Sequence, residues 1–309
     1  MKPDLVSIII PTFKRPSYLS RAILSALNQT YQNIEVLVID DNDPVSIYRK
    51  ETESLMFDFE NNAKIKYIKH PKNLNGSAAR NTGIKNSKGD FLAFLDDDDV
   101  FLPTKIEKQY NRLKHLNEDW GACYCFYSIY YNNKVQKYYD IEEEGDLTES
   151  ILLMENPVAS GSTLFIRKEV AVEFGGYNVS YQRHQDWEFL LRVLTKYKIC
   201  QVKENLVNIY LESRINKLEP RFLVGTKLKF LNEFSNIINN LPKSAIIYKN
   251  HYLELANSFA ERGYIMEGIG YLRKAHIKNS LVFLNYYNFL YHYVFYNIYY
   301  PLKHFFKRS

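Results

Sequence analysis

Residues Phe91–Val100 read FLAFLDDDDV. Five residues that favour burial run straight into four aspartates. At a separation of about 4 Å and an effective dielectric of about 20, each like-charge pair costs on the order of 4 kcal/mol. Such a cluster is held together only when something cationic joins it. The apolar run has the look of a strand buried on both faces, as in a parallel sheet. The stretch therefore reads as a strand whose carboxyl end carries a site.

Working outward, the same unit recurs. LVSIIIP (Leu5–Pro11) is a short β-branched run ending at proline. SYLSRAILSALNQ follows it with Leu19, Ala22, Ile23, Ala26 and Leu27 at helical spacing, and Ser17 is its expected N-cap. IEVLVIDD (Ile34–Asp41) is a second strand ending in acids, and SIYRKETESLMFDFENN after it reads as a helix. IKYIKH is a third strand, and GSAARNTGIKNS a helix that Gly89 closes. Strands alternating with helices predict an α/β domain with a mostly parallel central sheet flanked by helices. From about Trp120, GACYCFYSIYYNNKVQKYY and GSTLFIRKEV look like strands of a more mixed sheet, and DWEFLLRVLTKY has helical spacing. Beyond Glu219 the pattern is helical. YLELANSFAERGYIMEGIGYLRKAHIKNS reads as one helical hairpin broken near Gly263, of the tetratricopeptide kind but without a second copy. The expected organisation is one α/β domain over residues 1–219, halved at about 115, and a helical C-terminal extension over 220–309.

The chain of 309 residues is 46% hydrophobic and 24% charged, which is globular rather than disordered. Its net charge of +5 is uneven. Residues 220–309 carry 12 Lys/Arg against 4 Glu and no Asp, a net of +8, which leaves −3 on residues 1–219. Positive charge confined to a Phe/Tyr-rich helical tail, without a recognition motif, speaks against nucleic acid. Cys123, Cys125 and Cys200 are too few and wrongly spaced for a disulfide framework or a zinc site; Cys123 and Cys125, two apart in a strand, are expected as buried small hydrophobes. MKPDLVSIIIPTF does not read as a signal peptide, and no apolar run reaches the length of a membrane span. The expected location is cytoplasmic, with peripheral contact at the inner face of the cell membrane left open.

In an open parallel sheet, ligands bind at the carboxyl ends of the strands. The first strand ends in Pro11, Thr12 and Phe13, the second in Asp40 and Asp41, the fourth in Asp96, Asp97, Asp98 and Asp99. Oxygen ligands alone suit a hard divalent ion such as Mg²⁺ or Mn²⁺. In an extended chain Asp96 and Asp98 would point one way and Asp97 the other, so an Asp-x-Asp pair would meet a ligand and its ion together. An EF-hand loop is excluded, because its glycine and distal glutamate are missing. The plainer alternative has Asp99 starting the helix after Pro103 and the other acids solvated.

Three blocks carry a resemblance. SIIIPTFKRPSYLSRAILSALNQTYQNIEVLVIDDND, NLNGSAARNTGIKNSKGDFLAFLDDDDVFLPTKIE, and GSTLFIRKEVAVEFGGYN with QDWEFLLRV resemble, in order and spacing over roughly residues 5–215, the family 2 glycosyltransferases of the GT-A fold. The resemblance implies a nucleotide-binding half followed by an acceptor-binding half, a nucleotide-activated sugar donor, a divalent metal (Mn²⁺ or Mg²⁺) and inverting chemistry. It implies that Pro11, Thr12 and Phe13 line the base and ribose pocket and that Asp41 accepts a hydrogen bond from the nucleobase; the alternative for Asp41 is a helix or turn cap. Asn75 and Gly76 would lie in the segment closing over the nucleotide, with Arg80 either pairing with the diphosphate or holding an aspartate. Asp96 or Asp97 would meet the ribose, and Asp98 the metal. Asp186 matches the family's general base, in a Gln-Asp where many relatives have Glu-Asp; as an alternative it caps the following helix. Gly161 and Ser162 are expected to shape the acceptor loop; Trp187 either floors the acceptor sugar or, as is commoner for tryptophan on an amphipathic helix, packs in the core, while His184 reads by default as a solvated histidine.

The function so implied is transfer of a hexosyl or N-acetylhexosaminyl group, from a UDP-sugar, to a hydroxyl of a glycan, lipid-linked, in O-antigen or capsule assembly. A non-catalytic nucleotide-sugar-binding or scaffold protein of the same fold is the alternative, and it predicts a damaged base or metal site. A sugar-1-phosphate nucleotidyltransferase would need a Gly-rich loop where this chain has PTFKRPSY. The final aromatic stretch, from residue 281 to 309, is expected either to pack as a helix, to meet a partner or to touch an anionic membrane surface.

Overall fold

The computed structural model describes residues 4–155, 158, 161–211, 219–276 and 282–299. The chain forms two compact units, Met1–Thr148 with Pro157–Ile215, and Glu149–Asn156 with Asn216–Ser309. The second unit thus takes in a short internal segment that the linear reading assigned to the α/β domain.

In the first unit, strands β1 (Val6–Thr12), β2 (Ile34–Asp40), β3 (Ile65–Lys69) and β4 (Phe91–Phe94) alternate with helices α1 (Pro16–Leu27), α2 (Ile47–Phe57) and α3 (Gly76–Asn86). These four strands pair in parallel in the order β3-β2-β1-β4. Short β5 (Val100–Phe101), α4 (Lys105–Lys114), β6 (Trp120–Tyr131), β7 (Lys134–Tyr139), β8 (Phe165–Arg167), α6 (Lys168–Glu173), α7 (Gln185–Leu194) and β9 (Lys198–Tyr210) complete this unit's series up to residue 211, while α5 (Thr148–Leu152), between β7 and β8, belongs from Glu149 onward to the second unit. The sheet continues β4-β8-β6-β9-β5 with β7 beside β6. In this half, among the described residues, β6 and β9 are the one parallel pair. The result is a mixed α/β sheet, parallel where the βα units recur and mixed where hairpins take over. Asn132 and Asn133 both have positive φ (49° and 58°), the left-handed pair that a two-residue hairpin needs to match strand twist. That turns the long aromatic run at 122–139 into two strands.

Two helix ends differ from the sequence reading. Helix α1 starts at Pro16, not Ser17, with Arg15 at the cap position, because proline at the first turn has no N–H to lose. Helix α3 ends at Asn86. Gly89 is not its terminus: a Cβ there would meet the Leu5 carbonyl and the Ser7 nitrogen at 2.7 Å, so glycine lets β4 enter beside β1. The core is formed by Val6, Ile8, Ile10, Val36, Val38, Phe91, Ala93 and Phe165 with the inner faces of α1 and α4. Cys123, Cys125 and Cys200 are fully buried and are free thiols. Burial raises the thiol of Cys125 to about 12.

In the second unit, helices α8 (Pro220–Glu233), α9 (Ser235–Asn240), α10 (Ser244–Glu261), α11 (Ile265–His276) and α12 (Val282–Val294) follow in order. α10 and α11 form the hairpin read from the sequence, with Gly263 at φ +82° between them. Gly268 lets α12 approach, since a Cβ there would lie 2.7 Å from the Phe289 ring and 3.0 Å from the Ala256 carbonyl. Phe289 is buried with Ala256, Ala260 and Leu272, whereas Tyr287, Leu290 and Tyr291 on α12 are exposed. The tail therefore packs one face and exposes another; residues 281 and 300–309 lie outside the described residues. Among the described residues no helix is long and apolar enough to cross a membrane.

One buried polar cluster pins this unit. Lys227, wholly buried, pairs with Glu254 and donates to His251 Nδ1 at 3.0 Å. His251 Nε2 donates to the Leu152 carbonyl at 2.9 Å. Burial first, and the Lys227 charge second, depress His251 to about 3, so the ring is neutral.

Candidate active site

The carboxyl ends of β1 and β4 lie side by side, because the two strands pair in parallel. Strand β4 ends at Phe94, and Asp96–Asp99 form a turn rather than an extended run. The expected alternation of side chains is therefore replaced by a division among partners. Thr12 Oγ1 donates to Asp97 Oδ2 at 2.8 Å, and the Phe13 N–H to the same oxygen at 3.3 Å. A single nitrogen of Arg15, Nη1, bridges Asp97 Oδ1 (3.2 Å) and Asp98 Oδ2 (2.9 Å). Arg21 Nη2 donates to the Asp98 carbonyl at 2.6 Å and lies 3.7 Å over the Tyr210 ring. Arg80 Nη2 meets Asp96 Oδ1 at 2.6 Å.

Asp99 does not start a helix. It is fully buried and accepts from Ser162 Oγ at 2.6 Å and from the Tyr210 N–H at 3.2 Å; α4 begins at Lys105, past Thr104. Burial, against the pull of Arg15 and with the push of Asp98, raises Asp97 to about 7. One oxygen each of Asp96, Asp98 and Asp99 lies within 4.8 Å of the others. Three hard oxygens so grouped suit a divalent ion.

Asp186 lies near Arg80: a Cβ on Gly161 would be within 3.5 Å of both Asp186 Oδ1 and Arg80 Nε. Its place is the second residue of α7, and the cap position belongs to His184 at φ 61°, so Asp186 is not the cap. Arg80 Nη1 donates to Gln185 Oε1 at 3.0 Å, and its guanidinium sits 5.4 Å over the Tyr177 ring. Gly76 and Gly161 make room for this group: a Cβ on Gly76 would be 3.0 Å from Arg80 Nη1, and one on Gly161 would be 3.3 Å from Asp186 Oδ1. Asp186 Oδ1 is buried and makes no well-formed hydrogen bond, while the Tyr177 hydroxyl and the Gly161 N–H lie against the same carboxyl. Burial raises the Asp186 carboxyl above the usual aspartate range; Arg80 opposes the rise and Asp96 adds to it. A buried carboxylate with a raised pKa is suited to taking a proton.

The remaining expected residues are placed as follows. Ser162, in a short 3₁₀ turn over Gly161–Thr163, accepts from the Asp96 N–H at 3.0 Å and so ties that turn to the acids. Trp187 stacks on His184, with ring centroids 4.5 Å apart; His184 is half-buried rather than solvated. Pro11 is half-buried and Phe13 exposes its ring. Asn75, at φ 84°, caps α3 by accepting from the Ala78 N–H at 3.1 Å. The two oxygens of Asp41 accept from His70 Nδ1, the Leu74 N–H, Asn73 Nδ2 and the Asn75 N–H, so Asp41 organises the loop at 70–75, as the capping alternative expects.

Sequence reasoning missed Arg15, Arg21, Gln185 as a partner of Arg80, and Tyr210. Arg15 stands four residues past Pro11, where the first strand runs into its loop, a signal that was available. Tyr210 ends β9, a strand the sequence reading did not pick out.

The description of glycosyl transferase family 2 matches residues 7–175. An uncharacterized glycosyltransferase of Rickettsia typhi is 30% identical over 278 residues, spanning 84% of this chain and 81% of that protein. Among solved structures, S. aureus TarS 1–349 in complex with UDP-GlcNAc superposes with a TM-score of 0.58 at 15% identity, covering 91% of this chain and 89% of that one. The mannosyltransferase PcManGT from Pyrobaculum calidifontis, in complex with GDP-Man and Mn²⁺, gives 0.56 at 14% identity over 96% and 82%. Those likenesses agree with the observed GT-A arrangement of sheet and helices, and with a match over more than half its length the chain belongs to glycosyl transferase family 2.

Proposed function

We propose that this protein is an inverting, metal-dependent glycosyltransferase that moves a hexosyl or N-acetylhexosaminyl group from a UDP-sugar to a glycan hydroxyl in surface-polysaccharide assembly. The observation that carries the reading is the buried carboxyl of Asp186, raised in pKa by burial and set beside the Arg80 guanidinium that also holds Asp96. In this reading Asp186 removes the proton of the acceptor hydroxyl as that oxygen attacks the anomeric carbon. The nucleoside diphosphate leaves from the opposite face, and the single displacement inverts the centre. General-base assistance of this kind contributes about 10² to 10⁴ in rate. Trp187, stacked and rigid, offers a ring face to the acceptor sugar, with Gly161 and Ser162 shaping the loop beside it. Phe13 offers its exposed ring to the base, and Thr12 and Pro11 line the same pocket.

Asp98, with oxygens of Asp96 and Asp99, would hold Mn²⁺ or Mg²⁺, which when bound supplies charge neutralisation for the leaving diphosphate. The donor class draws support from UDP-GlcNAc in TarS and from GDP-Man and Mn²⁺ in PcManGT. Retention of both Asp186 and Asp98 argues against the non-catalytic scaffold. The exposed Tyr287, Leu290 and Tyr291 of α12 suit peripheral contact with an anionic inner membrane face bearing a lipid-linked acceptor. Loss of liposome flotation on removing residues 281–309 is the expected outcome; unchanged flotation excludes that contact.

The test is nucleotide release from a panel of nucleotide sugars with Mn²⁺ and a glycan acceptor. UDP release that requires acceptor, disappears in chelator and disappears in Asp186→Asn is expected. Full turnover in chelator, or in Asp186→Asn, overturns the metal or the base.

A further inference from the structure

Two arginines hold the acids, and they hold them differently. Arg80 is a fixture: its side chain is 8% exposed, it is bonded to Asp96 and Gln185, and it packs on Tyr177. Arg15 is 34% exposed, while the two carboxylates it touches are 5% and 2% exposed. It reaches both through one nitrogen and rests on no aromatic ring among the described residues. Its backbone sits at the entry to α1 with φ −137°, directly after Lys14 at φ 59°. The Lys14 N–H is tied to Asn42 Oδ1 at 2.7 Å, so the loop is anchored while the Arg15 head is half in solvent.

The Asp98 oxygen that Arg15 covers belongs to the carboxylate expected to hold the metal. A guanidinium and a divalent cation cannot both sit against it without repulsion.

We propose that Arg15 is a displaceable counter-ion: in the free protein it covers the metal-binding face of Asp98, and when a divalent ion arrives it moves onto the donor's diphosphate. The inference rests on the divalent-ion reading of the acid cluster given above. The released head starts beside Thr12 and Phe13, at the mouth of the pocket assigned to the nucleotide, and its planar fork matches phosphate oxygens. Arg15 thus weakens metal binding when no donor is present and strengthens it when one is. Metal and nucleotide become positively coupled, and by linkage each raises the affinity for the other by the same factor.

The experiment measures Mn²⁺ binding to the full chain by the electron paramagnetic resonance signal of free Mn²⁺, with and without UDP. In the unaltered protein UDP is expected to tighten Mn²⁺ by about tenfold or more. Arg15→Met and Arg15→Gln are expected to bind Mn²⁺ alone about tenfold tighter than the unaltered protein, and to lose most of the UDP effect. Two neutral variants of a half-exposed side chain guard against one that fails to fold. If Mn²⁺ affinity without UDP is unchanged or weaker in both variants while UDP still tightens it, Arg15 does not cover the metal's face and the inference falls alone. If none of the proteins binds Mn²⁺ even with UDP, the divalent-ion reading falls and takes this inference with it.

Discussion

The acid turn at 96–99 and the Lys227 cluster both bury charge, and they do so to opposite ends. In the helical unit the account closes: Lys227 has Glu254 and His251, and His251 has the Leu152 carbonyl, which fixes its proton on Nε2. In the α/β unit Arg15 pairs with Asp97 and Asp98 and Arg80 with Asp96, Asp99 is held by hydrogen bonds alone, and Asp186 adds a further carboxyl facing the same Arg80 charge. Matched buried charges specify a structure. Under-matched ones store repulsion that only a ligand relieves, which is why local rules fail at sites.

Mutations should separate the two. The largest effect is expected at the under-matched end. Asp98→Ala and Asp186→Asn should each lower turnover by about 10² to 10⁴ while the melting temperature stays level or rises, because each relieves repulsion from a neighbouring acid, Asp97 beside Asp98 and Asp96 beside Asp186; a falling melting temperature would make these acids structural. Next, Lys227→Ala leaves Glu254 and His251 without their cation and should cost about 3–5 kcal/mol of stability in denaturant titration. A change under about 1 kcal/mol would mean that water reaches the cluster.

The third effect is a pH dependence. His251 is depressed from 6.5 to about 3, so the unfolded chain takes up its proton before the folded one. Its contribution is complete above pH 6.5 and is lost as pH falls toward 3, with a slope of up to about 1.4 kcal/mol per pH unit. His251→Gln should flatten that slope between pH 4 and 6.5; an unaltered slope would assign it to other groups. The smallest effect is expected at Trp187, where loss of stacking in Trp187→Ala should raise the acceptor KM about three- to tenfold with kcat nearly unchanged. A fall in kcat alone would place the ring with the chemistry rather than with acceptor binding.

Much of this was legible in the chain. LVSIIIP, IEVLVIDD and FLAFL are buried on both faces in a parallel half-sheet, so their composition alone marks them. The acids at their ends could be located because strand ends and ligand sites coincide in such folds. What was not legible follows from the same physics. KICQVKENLVNIY mixes buried and exposed positions along its 13 residues, and a pattern that is neither continuous nor cleanly alternating signals no strand. Segment 149–156 belongs with the helices through contacts nearly a hundred residues away, such as Asn250 Nδ2 to the Leu153 carbonyl at 2.9 Å. No local pattern reports them. The division of labour among Asp96, Asp97, Asp98 and Asp99 depended on a turn where an extended run was expected.

The three cysteines have a use that selection need not have intended. All belong to the α/β unit, all are fully buried, and the helical unit has none. A maleimide or disulfide reagent added to the native protein therefore reads the opening of one unit while the other stays silent. Labelling rates, followed with and without nucleotide, would convert ligand binding into a clock for that unit alone, with no engineered probe.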